Sequence, residues 1–96
     1  VDEFDVEPPM IERLTNGTFR VNGRADLDDL EAMLMIDLPA GEWNTVGGLI
    51  FNSLGHVPAV GEIIEINQHK FYVERVQGRR IARVLISPNP EISRLP

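Results

Sequence analysis

Three short runs rich in β-branched and aromatic residues follow one another late in the chain, at residues 62–66, 71–76 and 80–86. Only the turn-forming segments that begin at Asn67 and Gln77 separate them. Runs of this composition are typical of strands, and connections this short join antiparallel neighbours, because a parallel crossover needs roughly a dozen residues or more. The pattern therefore predicts an antiparallel meander as the basis of the fold.

A hairpin is also predicted near the N-terminus, where Asn16 and Gly17 separate two short runs at residues 10–14 and 18–22. The Asn-Gly pair favours a two-residue type I′ turn, because both central positions of that turn need a positive φ. We therefore expect two further antiparallel strands joined by this turn.

Two amphipathic helices are predicted between the hairpin and the meander. Asp26 can cap the first helix by accepting hydrogen bonds from its first-turn amides. Leu27, Leu30 and Leu34 share one face at helical spacing, and Pro39 and Gly41 mark the stop of the helix and the connection onward.

The second helix is expected to begin at Asn44 or Thr45, since either side chain can act as its N-cap. Gly55 is expected to end it in a left-handed conformation. Its apolar stripe consists of Val46, Leu49, Ile50 and Leu54. The order β-β-α-α-β-β-β predicts an α+β domain, in which two helices pack on one face of a mainly antiparallel sheet.

The composition narrows the classes of protein and of site. The chain has 96 residues, a typical size for one domain, and contains no cysteine. This excludes a disulfide, a thiolate metal site and a thiol nucleophile. With 15 Asp and Glu against 9 Lys and Arg, the net charge is −6. That balance argues against a dedicated nucleic-acid-binding domain, because such domains present a basic face.

The two ends are predicted to lie outside the folded domain, which we expect over residues 10–87. Residues 1–9 contain four acids and end in Pro8 and Pro9, and we interpret them as a solvated acidic linker from an upstream domain. Residues 88–96 contain three prolines and are predicted to form a flexible tail. No stretch has the ~20 apolar residues that cross a bilayer, and the chain, which lacks an initiating Met, is interpreted as a fragment of a longer protein.

The charges are distributed unevenly along the chain. Residues 1–65 contain 13 acids and 3 bases, whereas residues 66–96 contain 2 acids and 6 bases. The last predicted hairpin holds Arg75, Arg79, Arg80 and Arg83. These arginines are either a solvated strand edge that resists aggregation or a docking patch for an acidic partner, and the sequence leaves both open.

An acidic cluster at the first helix is a candidate metal site. Asp26, Asp28 and Asp29, with Glu31 beside them, offer the oxygen ligands that Mg²⁺ or Ca²⁺ prefers. The spacing is not that of an EF-hand, because the glycine and the twelfth-position acid are missing. Helix capping and the helix dipole explain the same acids without a metal, so both interpretations stay open.

The start of the second helix is a candidate cofactor site. Asn44, Thr45, Gly47 and Gly48 lie where the free N–H groups of a helix could hold an anion. The alternative is that the glycine pair permits close packing by a neighbouring element. Neither a G-x-G-x-x-G motif nor a P-loop motif is present.

The residues give little indication of catalysis. His56 and His69 are expected in two separate loops, about a dozen residues apart, with no His or Cys at metal-ligand spacing nearby. No arrangement of nucleophile, base and acid is evident. We therefore expect a protein that is not an enzyme.

The order and spacing of the motifs resemble the CorC/HlyC transporter-associated domain family over about residues 10–87. The segments that show the resemblance are NGTFRVNGRA at 16–25, DLDDL at 26–30, NTVGGLI at 44–50, Leu54-Gly55 with Pro58, Val60-Gly61-Glu62, FYV at 71–73 and GRRI at 78–81.

The resemblance implies a location and a role. Such domains form the cytosolic C-terminal part of bacterial inner-membrane proteins, after a transmembrane region and a pair of CBS domains. Their parents are hemolysin-like proteins or magnesium and cobalt efflux proteins, whose ion transport the domain is thought to modulate. The family has no defined catalytic residues.

The resemblance also implies partners, cofactors and alternatives. The partners would be the CBS and transmembrane regions of the parent chain, with a homo-oligomer as a further option, and neither nucleic acid nor direct membrane insertion is expected. The family fold is related to part of a flavin-binding, PCMH-type domain, so FAD is a possible cofactor. One alternative function, by fold-level analogy, is an FAD or adenine-nucleotide binding module near Gly47 and Gly48. The other comes from the residues rather than the resemblance: Asp26, Asp28 and Asp29 could make the domain a divalent-cation sensor for Mg²⁺ or Ca²⁺.

Overall fold

A computed structural model describes residues 9–39 and 41–88, which form a five-stranded antiparallel sheet and two helices. The elements follow the predicted order, β-β-α-α-β-β-β, apart from a short 3₁₀ turn in the first hairpin. Their bounds are β1 Ile11–Arg13, β2 Phe19–Asn22, α1 Leu27–Leu34, α2 Val46–Leu54, β3 Ile63–Ile66, β4 His69–Gln77 and β5 Arg80–Pro88. The α+β fold class is confirmed.

The sheet has the strand order β1-β2-β5-β4-β3, so the predicted meander of β3, β4 and β5 is joined to the first hairpin by pairing of β2 with β5. In that pairing Val21 lies opposite Val84, and Val84 in turn lies opposite Val73 of β4. Side chains alternate between the two faces of a strand. The register therefore aligns these valines in one row on the face that the helices cover.

The hydrophobic core lies between that face and the two helices. Leu30 of α1 and Leu49 and Ile50 of α2 are fully buried against strand residues such as Phe71 and Ile86. Each such side chain contributes roughly 1.5–3 kcal/mol when it leaves water. Without a disulfide, the domain depends on this packing.

Capping residues predicted from the sequence are found at the start of both helices and at the end of α2. The Asp26 carboxylate accepts from the Asp28 amide at 2.7 Å, and the Thr45 hydroxyl accepts from the Gly48 amide at 3.2 Å. Thr45, rather than Asn44, is therefore the N-cap of α2. Gly55 follows α2 with φ of +74°, in the left-handed region where glycine has no Cβ to clash.

The predicted end of α1 is wrong. The helix stops at Leu34, well before Pro39, because Met35 adopts a left-handed conformation with φ of 58° and donates its amide to the Glu31 carbonyl. A non-glycine residue in this region is uncommon, and nothing in the periodicity of the leucines marks it.

The type I′ turn predicted at Asn16-Gly17 is also wrong. Thr15–Gly17 forms a 3₁₀ turn, and the strands resume with Arg13 opposite Phe19. The connection is thus longer than a two-residue loop, and it is closed by a 2.7 Å hydrogen bond from the Leu14 amide to the Thr18 carbonyl.

A two-residue turn with two positive φ values occurs instead between β3 and β4. Asn67 and Gln68 have φ of 50° and 65°, and Ile66 lies opposite His69. This geometry matches the type I′ turn that suits strand twist. The four-residue turn predicted to begin at Asn67 is therefore too long, and His69 and Lys70 belong to β4 rather than to a loop.

The described residues bear only partly on the predicted domain limits. Pro88 is the last residue of β5, one position beyond the predicted end at residue 87. Residues 1–8 of the predicted linker and residues 89–96 of the predicted tail lie outside the described residues. Among residues 9–39 and 41–88, neither helix has the length and apolar character needed to cross a membrane.

Candidate functional site

Three elements meet at one corner of the domain, next to Gly23. Its amide donates to the Ala82 carbonyl of β5 at 2.9 Å, and its own carbonyl accepts from the Gly47 amide of α2 at 2.8 Å. The residue that follows β2 therefore ties the start of β5 to the start of α2 through its backbone alone.

This corner requires glycine. A Cβ on Gly23 would overlap the Ile81 carbonyl oxygen, and a Cβ on Gly47 would lie 3.0 Å from the Gly23 carbonyl oxygen. A Cβ on Gly48 would lie 3.1 Å from the Cβ of Trp43. The glycine pair in α2 thus sits against neighbouring residues, in agreement with the packing interpretation of the sequence.

The first-turn amides of α2 already have acceptors inside the fold. The donor and acceptor pairs are Val46 to the Ala25 carbonyl at 3.0 Å, Gly47 to the Gly23 carbonyl at 2.8 Å, Gly48 to the Thr45 hydroxyl at 3.2 Å and Leu49 to the Thr45 carbonyl at 3.0 Å. Phosphate cradles at helix starts use free N–H groups. The backbone of this helix start therefore does not fit the diphosphate of FAD.

Asn44 also contributes through its backbone. Its carbonyl accepts from the Leu27 amide at 3.0 Å, and Thr45 forms a bridge with Asp26. The start of α2 is thereby fixed to the start of α1, and the two sets of candidate residues adjoin each other.

A cavity of about 720 Å³ lies against this corner. Its walls come from the segment after β2, the first half of α2 and the hairpin of β4 and β5. The lining residues are Asn22, Gly23, Arg24, Thr45, Gly47, Gly48, Phe51, Gln77, Arg79, Arg80, Ile81 and Ala82. Three of the four predicted cofactor residues line it, whereas Asn44 does not.

The arginine cluster predicted on the last hairpin is divided between two faces. Arg79 and Arg80 line the cavity together with Arg24, which precedes them by more than 50 positions in the sequence. Arg83 instead donates from Nε to the Glu74 carboxylate at 2.8 Å. No local sequence pattern marks Arg24 or Phe51 as a site residue, because only the tertiary structure brings them to this hairpin.

The Glu74 carboxylate is the centre of a charged network on the other face of the sheet. It also accepts from Arg20 Nε at 3.4 Å, and Arg20 Nη1 lies 3.8 Å from a carboxylate oxygen of Glu12. Glu74 lies at a register shift between β4 and β5. The bulge thus places its carboxylate between two arginines of neighbouring strands.

The predicted metal ligands are not gathered around one point. Asp26 acts as the N-cap of α1, and Asp28 and Asp29 are exposed in its first turn. In the part of the chain that the structure describes, no three His, Cys, Asp or Glu residues are placed to hold a metal ion. The geometry agrees with the capping and helix-dipole interpretation of these acids.

His56 and Glu62 stabilise the loop between α2 and β3. Nε2 of His56 lies 2.7 Å from one Glu62 carboxylate oxygen, and the other oxygen accepts from the Ala59 amide at 2.7 Å. The hydrogen bond with His56 and then that from Ala59 hold the pKa of Glu62 below its ordinary value. The second histidine, His69, is the first residue of β4.

Comparison with known proteins places the chain among transporter-associated domains. The family model described as a transporter associated domain, CorC/HlyC, matches residues 12–90. The magnesium and cobalt efflux protein CorC of Escherichia coli (strain K12) is 32% identical over 97 residues, an alignment that covers 95% of this chain and 33% of that protein. The chain therefore spans about a third of the length of that relative.

Solved structures share the fold. The CorC/HlyC transporter associated domain from Nitrosomonas europaea aligns with a TM-score of 0.79 at 25% identity, over 85% of this chain and 99% of that one. The domain of a Xylella fastidiosa hemolysin, solved in complex with Mg²⁺ and Mn²⁺, aligns with a TM-score of 0.74 at 20% identity, over 83% and 98%. The second likeness shows the fold alone.

Proposed function

Because the chain belongs to the CorC/HlyC transporter-associated domain family, we propose that it is a non-enzymatic accessory domain of a magnesium and cobalt efflux-type membrane protein. It would lie on the cytoplasmic side of the bacterial inner membrane and modulate ion transport through contacts with the rest of its parent chain. The share of the CorC relatives that it spans, about a third, supports a role that depends on other regions.

The observation that carries this proposal is the row of side chains across the sheet face opposite the helices. Cross-strand pairing aligns one residue from each strand, in the order Glu12, Arg20, Leu85, Tyr72 and Ile63. The row is charged at the β1 edge and apolar at the β3 edge. Both helices pack on the other face, so no described helix covers this row.

The apolar half of the row suits a protein contact. Ile63 is 53% exposed and Tyr72 is 37% exposed, and exposed aromatic and aliphatic side chains beside a charged rim are common in protein interfaces. We propose that this face docks on the cytosolic region of the parent protein, where the CBS domains would be. A second copy of the domain is the competing occupant.

The experiment compares full-length parent proteins in membrane vesicles. Removing residues 10–87, or substituting Tyr72→Ser together with Ile63→Thr, should change Co²⁺ efflux while the amount of inserted protein stays the same. The matched control is Val60→Thr, because Val60 is 61% exposed but lies in a loop outside the row. Unchanged efflux in both the deletion and the double variant would refute the accessory role.

The double variant also distinguishes the two occupants. If a second copy covers the row, crosslinking between copies of the parent protein should decrease in the Tyr72→Ser, Ile63→Thr variant. If the parent's own cytosolic region covers it, protease protection within a single chain should decrease instead. The second outcome is the one that our proposal expects.

A further inference from the structure

The cavity beside Gly23 has the size and the walls of a small-molecule site. Its volume of about 720 Å³ falls within the roughly 300–1,000 Å³ of typical ligand cavities. One wall is the tip of the hairpin of β4 and β5, the opposite wall is α2, and the backbone of Gly23 closes the corner between them.

The charge of this cavity is not neutralised within the described structure. Arg24, Arg79 and Arg80 line it, and none of the three forms an ion pair with a carboxylate in residues 9–39 and 41–88. Arg83, on the same hairpin, does have such a partner in Glu74. With no acidic residue among the lining residues, the three arginines give the cavity a net positive charge, and such a cavity favours a polyanionic ligand.

The other lining side chains indicate which class of polyanion fits. Phe51 on α2 is 44% exposed and lies in the same cavity, where its ring could stack on a flat ring of a ligand. Gln77, which also lines the cavity, offers an amide donor and acceptor. Guanidinium groups bind phosphate through paired hydrogen bonds.

We propose that the cavity binds a phosphorylated ligand that contains an aromatic ring, which is the chemistry of a nucleotide. The phosphates lie on Arg24, Arg79 and Arg80, and the ring lies on Phe51. The backbone amides at the start of α2 take no part, because they already have acceptors in the fold. This site is independent of the proposed contact on the opposite sheet face.

The test titrates the 96-residue chain with ADP, pyrophosphate, adenosine and citrate, and follows the backbone amides by NMR. ADP should bind and shift the amides of Gly23, Phe51 and Gln77. Adenosine and citrate should each bind at least about tenfold more weakly than ADP, the difference that one charge-assisted hydrogen bond makes.

Matched variants separate the site from general attraction of anions. The double variant Arg79→Gln, Arg80→Gln should weaken ADP binding by at least about tenfold, whereas Arg75→Gln should leave it unchanged, since Arg75 lies on the same hairpin outside the cavity. Phe51→Leu should weaken ADP but not pyrophosphate. All of these side chains are exposed, so the variants should stay folded, which circular dichroism checks.

Three results would overturn the proposal. One is that ADP shows no saturable binding to the intact chain. Another is that citrate binds as tightly as ADP, which would indicate a site for any polyanion. The third is that Arg75→Gln weakens ADP binding as much as the cavity variants do, which would indicate diffuse electrostatic attraction.

Discussion

Gly47 donates its backbone N–H to the carbonyl oxygen of Gly23 over 2.8 Å. This bond joins residues that are 24 positions apart and brings α2 close to the end of β2. A Cβ on Gly23 would have no room, because the Ile81 carbonyl of β5 occupies that space, and a Cβ on Gly47 would lie 3.0 Å from the Gly23 carbonyl oxygen. The architecture of the cavity corner therefore depends on two glycines.

Substituting Gly23→Ala should destabilise the domain by about 2–3 kcal/mol, because the added methyl group overlaps backbone that cannot rotate away. The measurement is the free energy of unfolding in urea. Arg24→Ala is the adjacent control and should change stability by less than about 0.5 kcal/mol, since its side chain is exposed. Equal effects of the two substitutions would contradict the packing argument.

Removing the N-cap of α2 by Thr45→Ala should cost about 1 kcal/mol of stability, because the Gly48 amide loses its acceptor. Thr45→Ser should retain most of that energy, since serine offers the same hydroxyl. Asn44→Ala, one residue earlier, should have little effect on the urea midpoint. A larger loss of stability for Asn44→Ala than for Thr45→Ala would show that Thr45 is not the N-cap.

The Glu74 carboxylate should stabilise the sheet by accepting from both Arg83 and Arg20. Glu74→Gln is expected to cost about 1 kcal/mol, because the groups are partly exposed and solvent screens them. High salt should reduce the difference in unfolding free energy between the native chain and the Glu74→Gln variant. Glu12→Gln is the control and should cost less, since its 3.8 Å contact with Arg20 is longer and more exposed.

Stability should depend on pH through Glu62. Since its pKa is lower in the folded chain than the ordinary 4.5, the folded state binds this proton less tightly than the unfolded state does. The stabilisation is therefore complete above the unfolded pKa and is lost as the pH falls below about 4.5 toward the folded value.

The measurement for Glu62 compares urea midpoints of the native chain and of Glu62→Gln between neutral pH and pH about 3. The native chain should be more stable at neutral pH, and the gap should narrow in acid. His56→Ala should reduce this pH-dependent gap, because it removes the principal cause of the lowered pKa. A gap that widens in acid would contradict the sign of the shift.

Local signals in the sequence predicted most of the fold. Asp26 begins α1 and Gly55 ends α2 as predicted, because an N-cap needs one short polar side chain and a left-handed C-cap favours glycine, so both signals are local. The strands of the meander followed from their composition and alternation. The resemblance to a family was confirmed by the match over residues 12–90, whereas the relation to a flavin-binding domain stays a prediction.

The errors in the fold have a common physical cause. The Asn-Gly pair at residues 16 and 17 predicts a type I′ turn, but the two-residue turn with two positive φ values lies at Asn67 and Gln68. Turn type, loop length and strand register are fixed together in a hairpin, so the two turn residues alone do not determine the turn. The end of α1 at Met35 is also not visible in the residue type. Methionine does not prefer the left-handed conformation that it adopts there.

The candidate site shows where the sequence ceases to be sufficient. The sequence by itself determined that glycines lie at the start of α2 and that arginines lie on the last hairpin. Both statements need only residue types and their spacing along the chain. Only the tertiary structure decided that the Gly23 carbonyl accepts a hydrogen bond from the Gly47 amide. It also decided that Arg24 lines one cavity together with Arg79 and Arg80. Such contacts depend on how β2, β5 and α2 pack together, which no single segment of the chain encodes.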